Sequence, residues 1–549
     1  MPKSDLRIDI FGTDFSISTD EAPEYLDKLL NKYRQNLENV KQRTGLTDPL
    51  KIAILTGFLL CDDLEKAGAT KFEREKKDEE EVERLTLGII ARLDGIVRSS
   101  GFSSTDSLKA EKNDSTVVGK PPEVKPYVKE EAAAEAPQVN SSIFRLKNTI
   151  KNYAWGSAEW IPALLGQRNI SRIPWAELWM GVNPMGPSRI TDEDGEIGIL
   201  LSELIEKEKG TFLGRETAQN YGSLPFLFKV IAAAKPLSIQ AHPDQDQARD
   251  GFERENRKGI PLDAPNRNYR DSNQKTEMIC ALNEFTALCG FREVDEICFL
   301  IEILSQNSEG VLKAGFEELV SALKQEEENP YKAIISALFR LESEARQKLN
   351  SFIRERQAHL ERDFPEYSNE WAFCVYLSNF FPGDPGIIAP LYLNIIELAP
   401  GEAMYLPAGT LHSYIHGLGI ELMTDSDNVL RGGLSSKHTD PEELLKILHF
   451  SAYKPKILKP PRPAPALFNY PAPVKEFSLS VMRGAGAAIP YLEKGPSIVI
   501  VTGGSAAVTG SENQPEGLNP GESIFIPPEK NLVFSGTFTA YAASVKVTG

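Results

Sequence analysis

A chain of 549 residues is too long for one ordinary hydrophobic core, so it should divide into about two to four domains. Its 61 basic and 78 acidic residues leave a net charge of −17, which would repel a phosphate backbone and excludes nucleic acid as an expected partner. No signal-type apolar core follows Met1, the apolar run from Ile52 to Cys61 is too short to span a bilayer, and the five cysteines form no CxxC pair, so the expectation is a reduced, cytoplasmic protein with no membrane partner.

The first folded stretch alternates: Leu6, Ile8 and Ile10 face one way, Phe11-Gly12-Thr13-Asp14 turns, and Phe15 and Ile17 resume, which predicts a β-hairpin. Asp20-Glu21 opens a helix with Tyr25, Leu26, Leu29, Leu30 and Tyr33 at helical spacing. Pro49 suits the first position of a second helix carrying Ile52, Leu55, Phe58, Leu59 and Leu64. After a mixed-charge run from Glu65 to Glu81, an apolar stripe returns between Val82 and Ile96. A helical arm this long on so small a module should bury its stripe in another copy, so a homo-oligomer is expected through a coiled coil. Residues 99–141 have the Ser, Pro, Ala, Lys and Glu content of a flexible linker.

Folded sequence resumes at about residue 142. Leu224 to Ala234 is apolar enough for a buried strand or two and leads into Leu237-Ser238-Ile239-Gln240-Ala241-His242, which Pro243 and Asp244 end. In an extended strand Ser238, Gln240 and His242 leave one face, while Leu237, Ile239 and Ala241 leave the other. A Gln and a His cannot hold a transition metal alone, and two downstream stretches offer further donors. They are Gln274-Lys275-Thr276-Glu277 and Pro407-Ala408-Gly409-Thr410-Leu411-His412. Gln240, His242, Glu277 and His412 together would suit Zn²⁺ or a neighbouring divalent ion. Taken singly, each is as readily an ordinary core or surface residue, though the chain has only six histidines.

Residues 294–379 carry helical periodicity, strand patterns return at Ile387 to Leu398 and Ala403 to Leu406, and Ala399-Pro400-Gly401-Glu402 turns between them. Short strands, Pro-Gly turns and ligands on inner faces are the pattern of a cupin jelly roll. The rhythm recurs without histidine at Ile498 to Gly504 and Asn519-Pro520-Gly521-Glu522, predicting a second, metal-free jelly roll joined through the proline-rich stretch 459–465. The expected architecture is therefore mixed: a β-hairpin and helical coiled-coil module at 1–98, a linker at 99–141, a metal-binding cupin at 142–293 and 380–455, a helical insertion at 294–379, and a C-terminal jelly roll at 456–549.

Two resemblances add to this reading. Residues 5–98 resemble the ZapA family of cell-division proteins, on the hairpin Arg7 to Gly12, on Pro23-Glu24-Tyr25 and above all on Arg43-Thr44-Gly45-Leu46-Thr47-Asp48-Pro49. That resemblance implies dimers or tetramers and names the division-ring protein FtsZ as a candidate partner. The rest of the chain, from Ser142, resembles the type I phosphomannose isomerases. The motifs are Tyr153-Ala154-Trp155-Gly156, Glu177-Leu178-Trp179-Met180-Gly181, Gln240-Ala241-His242-Pro243, Gln274 to Glu277, Pro407 to His412 and Ser426-Asp427-Asn428-Val429-Leu430-Arg431-Gly432-Gly433-Leu434-Ser435-Ser436-Lys437. The resemblance implies one zinc per chain on Gln240, His242, Glu277 and His412, and interconversion of mannose 6-phosphate and fructose 6-phosphate through an enediol. It further implies catalytic roles for Arg431, Lys275 and Glu421, and places Ser238 and Lys437 at the phosphate end. Gln274, Thr276 and Asn183 depart from the family pattern, where His, Pro and His are usual, without removing an expected ligand. The competing expectation is a scaffold or sensor linked to cell division that binds sugar phosphate without turnover. A cupin oxygenase or a different sugar isomerase is disfavoured by the intact phosphate-end residues.

Overall fold

The computed structural model describes residues 4–10, 13–19, a few positions between 33 and 56, and 143–547 apart from 192–196, 326–328 and 511–514. The chain divides into two units, Met1–Tyr127 and Val128–Gly549. In the first, β1 (Ser4–Ile10) and β2 (Thr13–Thr19) pair antiparallel, with Leu6 opposite Ile17 and Ile8 opposite Phe15. The expected hairpin is present, but Thr13 and Asp14 belong to its second strand rather than to the turn. The helices expected from Asp20 to Ile96, and with them the coiled coil, lie almost wholly outside the described residues, as does the linker.

The second unit opens with β3 (Phe144–Lys147), β4 (Thr149–Lys151), β5 (Glu177–Met180), β6 (Arg189–Thr191) and β7 (Ile197–Leu200). It continues through β8 (Phe226–Ala233), β9 (Ile239–Ala241), β10 (Glu277–Ala281) and β11 (Phe285–Phe291). Five α-helices between Val294 and Ser378 follow, then β12 (Leu393–Leu398), β13 (Ala403–Leu406), β14 (His412–Thr424) and β15 (Leu430–Gly433). Past the proline-rich stretch come β16 (Leu467–Tyr470), β17 (Ser478–Ala485), β18 (Ile489–Tyr491), β19 (Ser497–Thr509), β20 (Glu516–Leu518), β21 (Ser523–Ile526) and β22 (Leu532–Ser544).

These strands form two ten-stranded sheets, so the unit is mostly β as the alternation and turns predicted. The first sheet runs β12-β11-β14-β8-β5-β4, with β10 on β13 and β14, and β9 on β14 and β15. The thirteen-residue β14 is its spine: its first half pairs with β9 and β11, its second with β8 and β10. The second sheet runs β16-β17-β22-β19-β21-β3-β6-β7. Strands from residues 144–200 thus complete a sheet whose remaining members come from the end of the chain. Both Pro-Gly-Glu turns are present, with Gly401 at φ +83° and Gly521 at φ +84°. A proline followed by a residue of positive φ is the type II arrangement, in which only glycine avoids a Cβ clash.

The helices between Val294 and Ser378 pack into one cluster against the first sheet. Leu300, Leu304, Phe316, Leu319, Ile334, Leu349 and Trp371 form its core together with Ile239 and Ala241, so the helices cover the outer face of β9. One expected strand is corrected. Pro385–Leu391 is a 3₁₀ helix and only Leu393–Leu398 is extended. Pro385 at the first helical position and Pro390 within the segment supply no backbone N–H for a ladder and fix helix-compatible φ angles. Cys280, Cys289 and Cys374 are buried free thiols whose pKa burial pushes up, to about 11 for Cys280, which fits core residues rather than reactive ones.

Candidate metal centre

The centre is built on register. Gln240 of β9 pairs with His412 of β14 on one side and with Arg431 of β15 on the other. Residues paired across antiparallel strands project to one face, so His412, Gln240 and Arg431 form a row. His242 continues the alternation beyond Gln240, and Asp244 ends the extended stretch by capping the helix Gln245–Arg257, its carboxylate accepting from the Gln247 N–H at 2.8 Å. Ser238, half-buried, falls on the same alternation.

Glu277, the first residue of β10, meets both imidazoles. His242 Nε2 lies 3.1 Å from Glu277 Oε1, and His412 Nε2 lies 3.3 Å from Oε2. All three residues are buried, and their ligating atoms lie within 4.8 Å of one another. His242 Nδ1 sits 2.8 Å from the Asn428 carbonyl, and His412 Nδ1 sits 2.9 Å from that of Thr410. A carbonyl only accepts, so in each neutral ring Nδ1 carries the proton and Nε2 keeps a bare lone pair. Burial first, then the Lys275 ammonium, pushes His242 down to about 4 and keeps it neutral. The His242 contact to Glu277 is therefore not an ion pair, and neither His242 Nε2 nor His412 Nε2 has a hydrogen-bond partner. Two lone pairs aimed at a carboxylate repel it unless a cation lies between them. Two neutral imidazoles fixed by carbonyls and one buried carboxylate are a donor set that fits a divalent transition ion.

Charges around the three are matched. Lys275 Nζ lies 3.1 Å from Glu277 Oε1. Burial opposes ionisation of Glu277, but the Lys275 ammonium outweighs it and holds the carboxyl well below its usual range. The Tyr414 hydroxyl is 3.4 Å from Glu277 Oε2. Behind them Lys229 of β8 and Glu421 of β14 are register partners, with Nζ 3.0 Å from Oε2. Trp179, paired with Lys229 on β5, donates its indole N–H to Glu177 at 2.5 Å. Burial works against the Lys229 charge, but Glu177 and Glu421 outweigh it and keep the ammonium protonated above its ordinary range. Burial raises the Glu421 carboxyl against the pull of Lys229.

The structure thus brings His242, Glu277, His412 and Lys275 into contact, sets Gln240 and Arg431 in the same row, and places Glu421 against Lys229. Lys437 is exposed, with Nζ 5.7 Å from the centre of the Tyr153 ring. Reading from sequence missed Lys229, although a single lysine in the otherwise apolar Phe226–Ala233 strand is a signal in itself, because a buried ammonium must be paired. It also missed Asn428, whose fully buried side chain donates to the Asp271 and Asn273 carbonyls, both at 3.0 Å, and accepts from the Arg270 N–H at 2.7 Å. That network fixes the carbonyl on which His242 rests. Two of the departures from the family pattern are tied up elsewhere: Gln274 Nε2 donates to Glu476 at 2.9 Å, and Asn183 Nδ2 to Asp425 at 2.8 Å.

Both parts of the chain resemble known proteins. The family model for the catalytic domain of type I phosphomannose isomerase matches residues 143–294, and the model for the cell division protein ZapA matches residues 6–89. Mannose-6-phosphate isomerase of Escherichia coli K12 is 36% identical over 391 residues, covering 71% of this chain and 96% of that protein. The human mannose-6-phosphate isomerase is 32% identical over 417 residues, covering 71% of this chain and 94% of its own length. Among solved structures, the Salmonella typhimurium mannose 6-phosphate isomerase bound to its substrate fructose 6-phosphate and zinc superposes with a TM-score of 0.66 at 34% identity, covering 74% of this chain and 100% of that one. The chain therefore belongs to the mannose-6-phosphate isomerase family and carries a ZapA domain ahead of the isomerase portion.

Proposed function

We propose that this chain is a zinc-dependent aldose–ketose isomerase that interconverts mannose 6-phosphate and fructose 6-phosphate by moving a proton between C1 and C2 through an enediol. The observation that carries the reading is the pair of bare, buried Nε2 atoms of His242 and His412 facing the Glu277 carboxylate, in register with Gln240 and Arg431. His242, Glu277 and His412 would hold one zinc, with the Gln240 amide oxygen as a fourth donor. Bound there, the ion supplies Lewis acidity toward the carbonyl and hydroxyl oxygens of the open-chain sugar.

The protein groups supply the rest. Lys275 keeps Glu277 ionised and, with Glu421, would exchange a proton with the sugar carbons or oxygens. Arg431 stays charged throughout and suits negative charge on the developing enediolate or on the phosphate. Lys437 and Ser238 take the phosphate end. The test is turnover of mannose 6-phosphate by the purified full-length protein, with chelator-treated and zinc-restored samples beside Glu277→Ala. Metal-dependent turnover that disappears in the variant supports the reading; a zinc-loaded wild type without turnover overturns it and leaves a scaffold that only binds sugar phosphate.

The match of residues 6–89 to ZapA favours a second role alongside the first. That module would assemble copies of the chain in the cytoplasm and offer a surface to FtsZ. Light scattering of the full-length protein tests the assembly, since the mass of a single chain would rule it out. Co-sedimentation with FtsZ polymers tests the partner.

A further inference from the structure

Near the metal centre the buried lysines are matched, Lys229 by Glu421 and Lys275 by Glu277. Arg270, Arg431 and Lys437 are not. Arg431 and Lys437 come from one stretch and Arg270 from another, and among the described residues none of the three side chains has a carboxylate within ion-pair distance. Arg431 stands in register with Gln240. Arg270 is fixed through its backbone, whose N–H donates to Asn428 Oδ1, while the Asn428 carbonyl accepts from the His242 ring. Lys437 Nζ lies over Tyr153, which stacks on Trp155 at 5.6 Å.

The three cations act on one another. Burial and then Arg270 depress the Arg431 guanidinium, and burial, Arg431 and Arg270 together depress the Lys437 ammonium. Glu177 pulls Lys437 the other way, but its carboxylate is engaged by the Trp179 indole N–H. Like charges gathered without a counter-charge cost free energy, which an anion placed among them returns. The chain's overall charge of −17 makes such a local cluster the more specific.

We propose that Arg270 is an anion-holding residue of the substrate site, gripping the sugar phosphate group together with Arg431 and Lys437; this rests on the isomerase reading above. Its planar fork can donate two parallel N–H bonds to a phosphate, which a lysine cannot. The side chain is exposed and its anchor is its own backbone, so its replacement leaves the Asn428 bond in place.

The experiment compares zinc-loaded full-length wild type, Arg270→Ala and Arg270→Lys in two measurements: KM and kcat for mannose 6-phosphate, and calorimetric titration with inorganic phosphate alone. For Arg270→Ala the KM should rise about 10- to 100-fold with kcat within about threefold, and phosphate binding should weaken about tenfold or more, as expected for loss of a charge-assisted hydrogen bond. Arg270→Lys should recover part of both, a rescue that separates contact with the anion from a purely structural role. KM and phosphate affinity both within about twofold of wild type in Arg270→Ala would overturn the proposal. If the wild type shows no turnover, the isomerase reading fails by itself, and the phosphate titration still decides Arg270: weaker binding in the alanine variant upholds an anion site, and unchanged binding removes it.

Discussion

Lys229 and Glu421 meet across β8 and β14 as register partners, Nζ 3.0 Å from Oε2, with 6% and 3% of their surfaces exposed. A buried ion pair contributes little net stability, but removing one partner strands the other. Lys229→Met should therefore destabilise the protein by about 3–5 kcal/mol. The double variant Lys229→Met with Glu421→Gln should recover much of that loss. Urea denaturation of the four proteins of the cycle measures the coupling, and a loss in the double variant equal to the sum of the losses in Lys229→Met and Glu421→Gln would show that the pair is not coupled.

Metal removal should be felt in the fold. Without a cation the lone pairs of His242 and His412 face the Glu277 carboxylate directly. Zinc at about a thousand times its Kd would add roughly 4 kcal/mol to stability. Chelation should thus lower the unfolding midpoint of wild type and leave that of Glu277→Ala nearly unmoved. Elemental analysis should find one zinc per wild-type chain; a chelator-insensitive midpoint in wild type would contradict the centre.

Asp425 gives a pH dependence of its own. Burial is the main cause that lifts its carboxyl to about 6, against the hydrogen bond from Asn183. An acid whose pKa is raised on folding contributes stability that is complete below its unfolded pKa of about 4 and is lost as pH rises through the folded value. Asp425→Asn keeps an acceptor for Asn183 and removes the ionisation. Compared in metal-free protein, the variant and wild type should be similar near pH 4, and the variant should gain about 2–3 kcal/mol relative to wild type by pH 7. A gap that stays constant across this range would show that Asp425 does not titrate as described.

Gly409 lies in the motif that ends at His412, at φ +74°, and its N–H donates to the His242 carbonyl at 2.8 Å. A Cβ there would stand 2.6 Å from His449 Cδ2 and 2.8 Å from the Ile447 carbonyl oxygen. Gly409→Ala should cost about 2 kcal/mol or more and weaken zinc binding about tenfold by shifting both imidazoles. Competitive metal titration checks the second effect.

Gln274 occupies a position where the family usually has histidine, yet its side chain is held by Glu476. Gln274→Ala should change kcat less than about threefold and cost about 1 kcal/mol. A large loss of kcat would mean that the side chain leaves Glu476 to reach the sugar.

Much of the centre was legible in the sequence because its grammar is local. Gln240 and His242 alternate on one strand, and Lys275 and Glu277 repeat the spacing. What was hidden is pairing over long separations. Glu421 and Lys229 are 192 positions apart, and Asn428 contacts His242 across 186. Lys229 was visible as an anomaly in an apolar strand, but nothing nearby named its partner. The strand expected at Ile387 was misread for the opposite reason. An apolar run shows burial and does not distinguish extended from helical backbone, and Pro385 and Pro390 were the residues that should have decided it. The paired Pro-Gly turns pointed to a second jelly roll at 456–549, and nothing in them told that β3, β6 and β7 join the later sheet.

That joining has a consequence for synthesis. β3 pairs with β21, and beside them the Asn148 side chain donates to Ser523, 375 positions further along the chain. At ~5–20 residues per second, β3 waits on the order of 20–75 s on the ribosome before its partner is made. During that interval the isomerase half has its ligands but an unfilled sheet edge, so its folding is governed by the arrival of the carboxyl-terminal strands, and a nascent chain stalled before Ser523 would present β3 paired with β6 on one side and open to aggregation on the other.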